Sequence, residues 1–183
     1  MTHAVPQGII SREEYHRWYD DQPGRYERID GRVYAMSPER VEHVRAKAQV
    51  WLALHRAIER AGVRCEAFND GMTVETDDSD YEPDASVNCG TPIEAGSTSL
   101  TDPVIVVEVL SPSTRMIDSG YKLAGYFTVP SIQHYLIIHP TRRSVIHHRR
   151  TGERIDTAII AAGQIVLDPP GLMLTMDELY PPT

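Results

Sequence analysis

Between residues 41 and 61 the apolar positions Val44, Ala48, Trp51, Leu52, Leu54, Ala57 and Ile58 recur at the spacing of a helix with one buried face, and Gly62 ends it. Elsewhere the period shortens. Residues 25–29 and 32–36 flank Asp30-Gly31, two positions that tolerate positive φ, and predict a β-hairpin. Residues 63–68 and 72–76 read as short strands joined at Asn69-Asp70-Gly71. The polar stretch 77–82 then leads through Pro83-Asp84 into Ala85-Ser86-Val87, completing a meander. After a loop rich in Gly, Pro, Ser and Thr at 90–99, residues 104–110 are apolar at every position except Glu108, the pattern of a strand covered on both faces. Ser111-Pro112 stops that strand. A helix at 114–127 follows, then strands at 132–138 and 144–149, a turn at Thr151-Gly152, weaker strands near 155–161 and 165–167, and a short helix at 175–179. At the front, Ser11-Arg12-Glu13-Glu14 has capping-box spacing and opens a short helix with Tyr15, Trp18 and Tyr19 on one side. This peripheral segment ends before Pro23-Gly24. The order predicts a mixed α/β fold, an α+β arrangement with an N-terminal hairpin and helices packed on one central curved sheet, in a single domain over residues 1–183 with 1–24 peripheral.

The lone acid in the central strand brings in chemistry. A Glu between Val107 and Val109 is costly to ionise without something positive beside it. Asp84 lies on an adjacent part of the meander, and two carboxylates brought close raise each other's proton affinity unless a cation separates them. A hard divalent ion, Mg²⁺ or Mn²⁺, would do so with Asp84, Glu108 and the backbone carbonyl of Val109 as oxygen ligands. Such an ion activates water and offsets charge on a phosphate under attack, so hydrolysis of a phosphodiester is the natural reaction. A lysine commonly completes such sites. Position 110 shares a face with Glu108 but is Leu, and the next lysine is Lys122 in the following helix, which folds back over the sheet. Lys122 could deliver its ammonium there, or pair with Asp118 at i,i+4 on a helix face.

Composition narrows the partners. With 18 basic and 26 acidic residues the net charge is −8, which opposes nonspecific attraction to a polyanion and counts against a general nucleic-acid coat protein. A nuclease survives that test, because its basic residues need only line one face. Of the 18 basic residues only Lys47 and Lys122 are lysines. Cys65 and Cys89 have no Cys-x-x-Cys spacing and are expected as free thiols. Asp77, Asp78, Asp80 and Glu82 lack the spacing of a calcium loop and are expected to form a solvated loop. His147 and His148, adjacent in a strand, point to opposite faces and cannot share one metal. Arg142, Arg143, Arg149, Arg150 and Arg154 surround one predicted hairpin, either as a phosphate-contacting patch or as a solvated edge. No stretch approaches the roughly 18–20 apolar residues of a membrane span, and the first ten residues lack signal-peptide character, so the cytoplasm is the expected location.

Several segments carry a resemblance: Glu27-Arg28-Ile29-Asp30-Gly31, His43 in the long helix, Tyr81-Glu82-Pro83-Asp84, the run from Val107 through Glu108-Val109-Leu110-Ser111-Pro112-Ser113-Thr114, the set Asp118, Lys122 and Tyr126, and Pro130-Ser131-Ile132-Gln133-His134-Tyr135. Over most of its length the chain resembles the Uma-two family of the PD-(D/E)XK nuclease superfamily. That resemblance implies a restriction-endonuclease-like core, an Mg²⁺- or Mn²⁺-dependent endonuclease acting on DNA, and catalytic positions at Asp84, Glu108 and a displaced Lys122. Glu27 and His43 are implied as supporting residues. His134, and His139 before Pro140, depart from the family's common residues, away from the expected metal site. A homodimer is expected from the two-site habit of related nucleases. The rival reading is a nucleic-acid-binding or assembly module on the same fold without turnover, suggested by the negative charge and by Leu110 in the lysine position.

Overall fold

The computed structural model describes residues 4–111 and 120–181. In chain order the elements are α1 (Arg12–Tyr19), β1 (Tyr26–Ile29), β2 (Arg32–Ala35), α2 (Val41–Ala61), β3 (Cys65–Asn69), β4 (Val74–Glu75), β5 (Asp80–Tyr81), β6 (Ala85–Cys89), β7 (Pro103–Val109), α3 (Tyr121–Tyr126), β8 (His134–Ile138), β9 (Val145–Thr151), β10 (Arg154–Ile160), β11 (Gln164–Leu167), β12 (Leu172–Thr175) and α4 (Met176–Leu179). Helix α1 starts at the expected capping box, and α2 ends at Gly62 in the left-handed region (φ 64°) that glycine tolerates without strain. Of the expected helix at 114–127 the described residues show α3, with Gly120 before it as N-cap; residues 112–119, with Asp118 and its possible pairing, lie outside the described residues.

The fold is the mixed α+β arrangement the sequence predicts, with its strands divided among sheets. Six strands form the central sheet in the order β10-β9-β8-β7-β6-β3. Its neighbours are antiparallel except β7 and β8, the parallel pair between which α3 lies in the chain. The N-terminal hairpin instead builds a second sheet, β2-β1-β5-β4, and β11 and β12 make a third. The meander is thus split: β3 pairs with β6, while the chain between them leaves to add β4 and β5 to the hairpin.

Alternation along β7 separates two cores. Ile105, Val107 and Val109 join Val50, Leu54, Ala57 and Ile58 of α2 on one face. Val106 faces the other way, with Ile29, Val74, Tyr81, Tyr126, Ile132 and Tyr135. Fully burying a side chain such as Leu54 is worth roughly 1.5–3 kcal/mol, so packing more than helix propensity holds α2 in place. Glu108 falls on the second face, where α3 and the smaller sheet pack.

Two expectations fail. Cys65 and Cys89 are not free thiols but a disulfide. They are direct partners across β3 and β6, a pairing invisible while residue 89 was read as lying beyond its strand. Nor is the whole acidic stretch a solvated loop: Asp77 and Asp78 are exposed as expected, but Asp80 is 1% and Glu82 6% exposed. Arg28 and Arg12 bind Asp80, and Arg25 and Tyr19 bind Glu82, because neighbouring elements carry the counter-charges that burial demands.

Candidate active site

The last ladder pair between β6 and β7 is Ala85 with Val107, so one antiparallel step further sets Asp84 beside Glu108. Each is 5% exposed. Oδ2 of Asp84 accepts the Val109 N–H at 2.6 Å. Burial pushes the Asp84 carboxyl above its ordinary range, against the pull of His43, the Val109 N–H, Lys47 and Lys122. Glu108 Oε1 accepts from the Tyr126 hydroxyl at 2.7 Å and from Lys122 Nζ at 2.9 Å. Burial, reinforced by Glu108, raises the Tyr126 phenol well above its usual value, so it stays a donor.

Lys122 reaches the acids from α3, and its ammonium also donates to Glu27 Oε1 at 2.9 Å. It therefore ties the central sheet to β1. Glu27 additionally accepts the Glu82 N–H at 2.8 Å. Along β1 the next side chain points the opposite way, and Arg28 goes to Asp80. Leu110, in the position a nearer lysine would hold, packs against the second core.

Helix α2 closes the other side. His43 Nε2 lies 2.8 Å from the Val109 carbonyl and 3.5 Å from Asp84 Oδ2. One turn on, Lys47 Nζ donates to Asp70 at 2.5 Å and to Glu39, and lies 3.5 Å from Asp84 Oδ1. The sequence reading marked Lys47 as scarce but gave it no place, and it missed Glu39. The findable signal was the four-residue spacing of 39, 43 and 47, which stacks three polar side chains on one side of a helix and its lead-in.

Glu27, Glu39, His43, Asp84, Glu108, Val109 and Lys122 all line one cavity of about 460 Å³, whose remaining wall includes Tyr34, Met36, Leu110, His139 and Pro140, so the departure at His139, expected away from the site, stands on its wall. Two buried carboxylates and a carbonyl oxygen are the donor set of a hard divalent ion. Three of the five arginines near β9 bind within the fold, while Arg142 and Arg154 are exposed. Arg150 donates to the carbonyls of Phe127, Val129 and Ile132, Arg149 to that of Asp168, and Arg143 pairs with Asp177. His147 and His148 also separate as expected: His147 meets His134 at 2.9 Å, and His148 meets Thr157 at 2.8 Å.

Comparison with known proteins identifies the family and the fold. The chain is 30% identical over 181 residues to the uncharacterized protein slr1290 of Synechocystis sp. (strain ATCC 27184 / PCC 6803 / Kazusa), covering 97% of this chain and 94% of the relative. A second uncharacterized protein of that organism, sll1609, is 25% identical over 150 residues, covering 80% and 84%. Among solved structures, "a putative nuclease belonging to DUF820" from Anabaena variabilis ATCC 29413 superposes with a TM-score of 0.68 at 17% identity, over 90% of this chain and 96% of that one. That likeness establishes a shared fold. The model of the family described as "Uma2: Putative restriction endonuclease" matches residues 12–177, and the chain belongs to that family.

Proposed function

We propose that this protein is a metal-dependent endonuclease that hydrolyses phosphodiester bonds in DNA. The carrying observation is the convergence of Asp84, Glu108 and Lys122, from three segments of the chain, on the wall of one cavity. The family description and the name of the Anabaena neighbour support the same class. In this reading Asp84, Glu108 and the Val109 carbonyl would hold Mg²⁺ or Mn²⁺. The ion, when bound, supplies an activated water and charge stabilisation at the phosphate. Lys122 places a fixed positive charge beside the attacked phosphate, Glu27 holds that ammonium in place from the second sheet, and His43 steadies the strand end by donating to the Val109 carbonyl. Action as a homodimer in the cytoplasm, by one domain, belongs to the same proposal.

Supercoiled plasmid incubated with Mg²⁺ or Mn²⁺ tests it. The wild type should nick or linearise the plasmid, Lys122→Met should slow this about 100-fold or more, and Asp84→Ala should abolish it. Equal cleavage by wild type and Asp84→Ala would mean a contaminating nuclease and end the assignment.

A further inference from the structure

His43 poses a problem that the proposed reaction does not solve. A carbonyl oxygen can only accept, so the 2.8 Å contact with Val109 assigns the proton to Nε2. In the neutral ring, the form that ligates a metal, Nδ1 then carries a bare lone pair. That atom is buried and has no hydrogen-bond partner among the described residues, on a side chain only 12% exposed. The nearest carboxylate oxygen, Oε2 of Glu39, stands 3.8 Å away. Two facing acceptors repel unless a proton, a water or a cation lies between them.

We infer that Glu39, His43 and Asp84 form a second cation position beside the Asp84–Glu108 pair, suited to a transition-metal ion such as Mn²⁺, Co²⁺ or Zn²⁺ rather than to Mg²⁺. One ligand atom from each of the three residues lies within 4.8 Å of the other two. An ion bound at roughly 2 Å from each ligand bridges separations of up to about 4 Å, so Glu39 needs little closure, while Asp84, whose Oδ2 approaches the ring at Nε2 (3.5 Å), has to turn toward Nδ1. The imidazole nitrogen sets the preference, since hard ions favour all-oxygen sites and nitrogen ligands favour the later divalent metals. The arrangement also has the usual support of a metal-bound histidine, whose other ring N–H donates to a backbone carbonyl. Lys47 positions the set. Its ammonium holds Oε1 of Glu39, leaving Oε2 toward His43, and sits 3.5 Å from Asp84 Oδ1. The inference rests on the proposed function only in that both use Asp84.

Cobalt alone is the probe. Added to the metal-free protein, Co²⁺ should give visible absorption bands of a nitrogen-containing site, saturating with one equivalent that excess Mg²⁺ displaces poorly. His43→Gln and Glu39→Gln should each weaken this binding at least about tenfold, while Glu108→Gln should leave it in place. Glu39→Gln guards against misfolding of the His43 variant. Unchanged Co²⁺ affinity and spectrum in both variants would overturn the second site. Loss of Co²⁺ binding in Glu108→Gln but not in those two would assign the ion to the first site and overturn it equally. Failure of plasmid cleavage with a normal cobalt titration would instead sink the proposed nuclease reaction and leave this site standing.

Discussion

At Asp84 a backbone N–H, an imidazole, and the ammonium of Lys47 all gather around one carboxylate, yet burial still pushes its pKa up. A carboxyl raised in the folded state contributes stability while protonated, and that stability is lost as pH rises through the folded value. At neutral pH the ionised Asp84 is therefore a cost borne by the metal-free fold. Asn at this position keeps an acceptor for the Val109 N–H but never ionises. Asp84→Asn should raise the melting temperature of the metal-free protein near pH 7.5 by a few degrees while removing cleavage, the trade expected where function holds a strained charge. Thermal denaturation of the two proteins in chelator checks this, and a lower melting point in the variant would show that the ionised carboxylate is net stabilising. The acids themselves were legible in the sequence because a lone Glu in an apolar strand has few structural explanations. Glu39 was not, since an exposed Glu before a helix is common and only His43 opposite gives it meaning.

Helix α3 delivers Lys122, and how closely it can approach is decided at Gly125. A methyl group there would lie 2.8 Å from ring carbons of Tyr81, closer than side-chain carbons pack. The Tyr81 ring in turn lies under the Lys122 ammonium, 5.8 Å from its centroid. Gly125→Ala should push α3 outward, costing roughly 1–3 kcal/mol and lowering cleavage more than binding, because Lys122 moves from Glu108. Denaturant unfolding and single-turnover cleavage measure the two effects. Adding Tyr81→Leu should restore part of both, whereas an Ala variant with wild-type stability and rate would show that the helix tolerates the shift. The displaced lysine was legible only as a possibility. Periodicity places Lys122 on a helix, but the direction from which that helix approaches is set by packing of its Tyr126 on Tyr81, which no local pattern encodes.

Across the whole molecule the site lies where two sheets and two helices meet: Glu27 from the smaller sheet, Glu108 and Asp84 from the central one, His43 and Lys47 from α2, Lys122 from α3. The long helix, the hairpin and the central strand could be read from their periods. The division into separate sheets could not, because β4 and β5 have two residues each and draw their stability from Arg28 and Arg12 on Asp80 rather than from an alternating pattern. The same arginines explain how a chain of net charge −8 holds so many buried acids: the positive charge is spent inside the fold.

Only two lysines occur in the chain, and they are 6% and 3% exposed, both around Asp84 and Glu108. This makes amine chemistry a selective reporter. A reagent that modifies ε-amines has no ordinary surface lysine to consume it, and Lys47 is further slowed because its carboxylate partners, outweighing desolvation, keep it protonated. In the native protein both side chains should label far more slowly than in urea, as followed by peptide mass spectrometry, and each covalent adduct should coincide with loss of cleavage. Fast labelling of either lysine under native conditions would mean that the ammonium spends much of its time away from the acids. Without any engineered tag, the protein's own amines can thus time the opening of its interior.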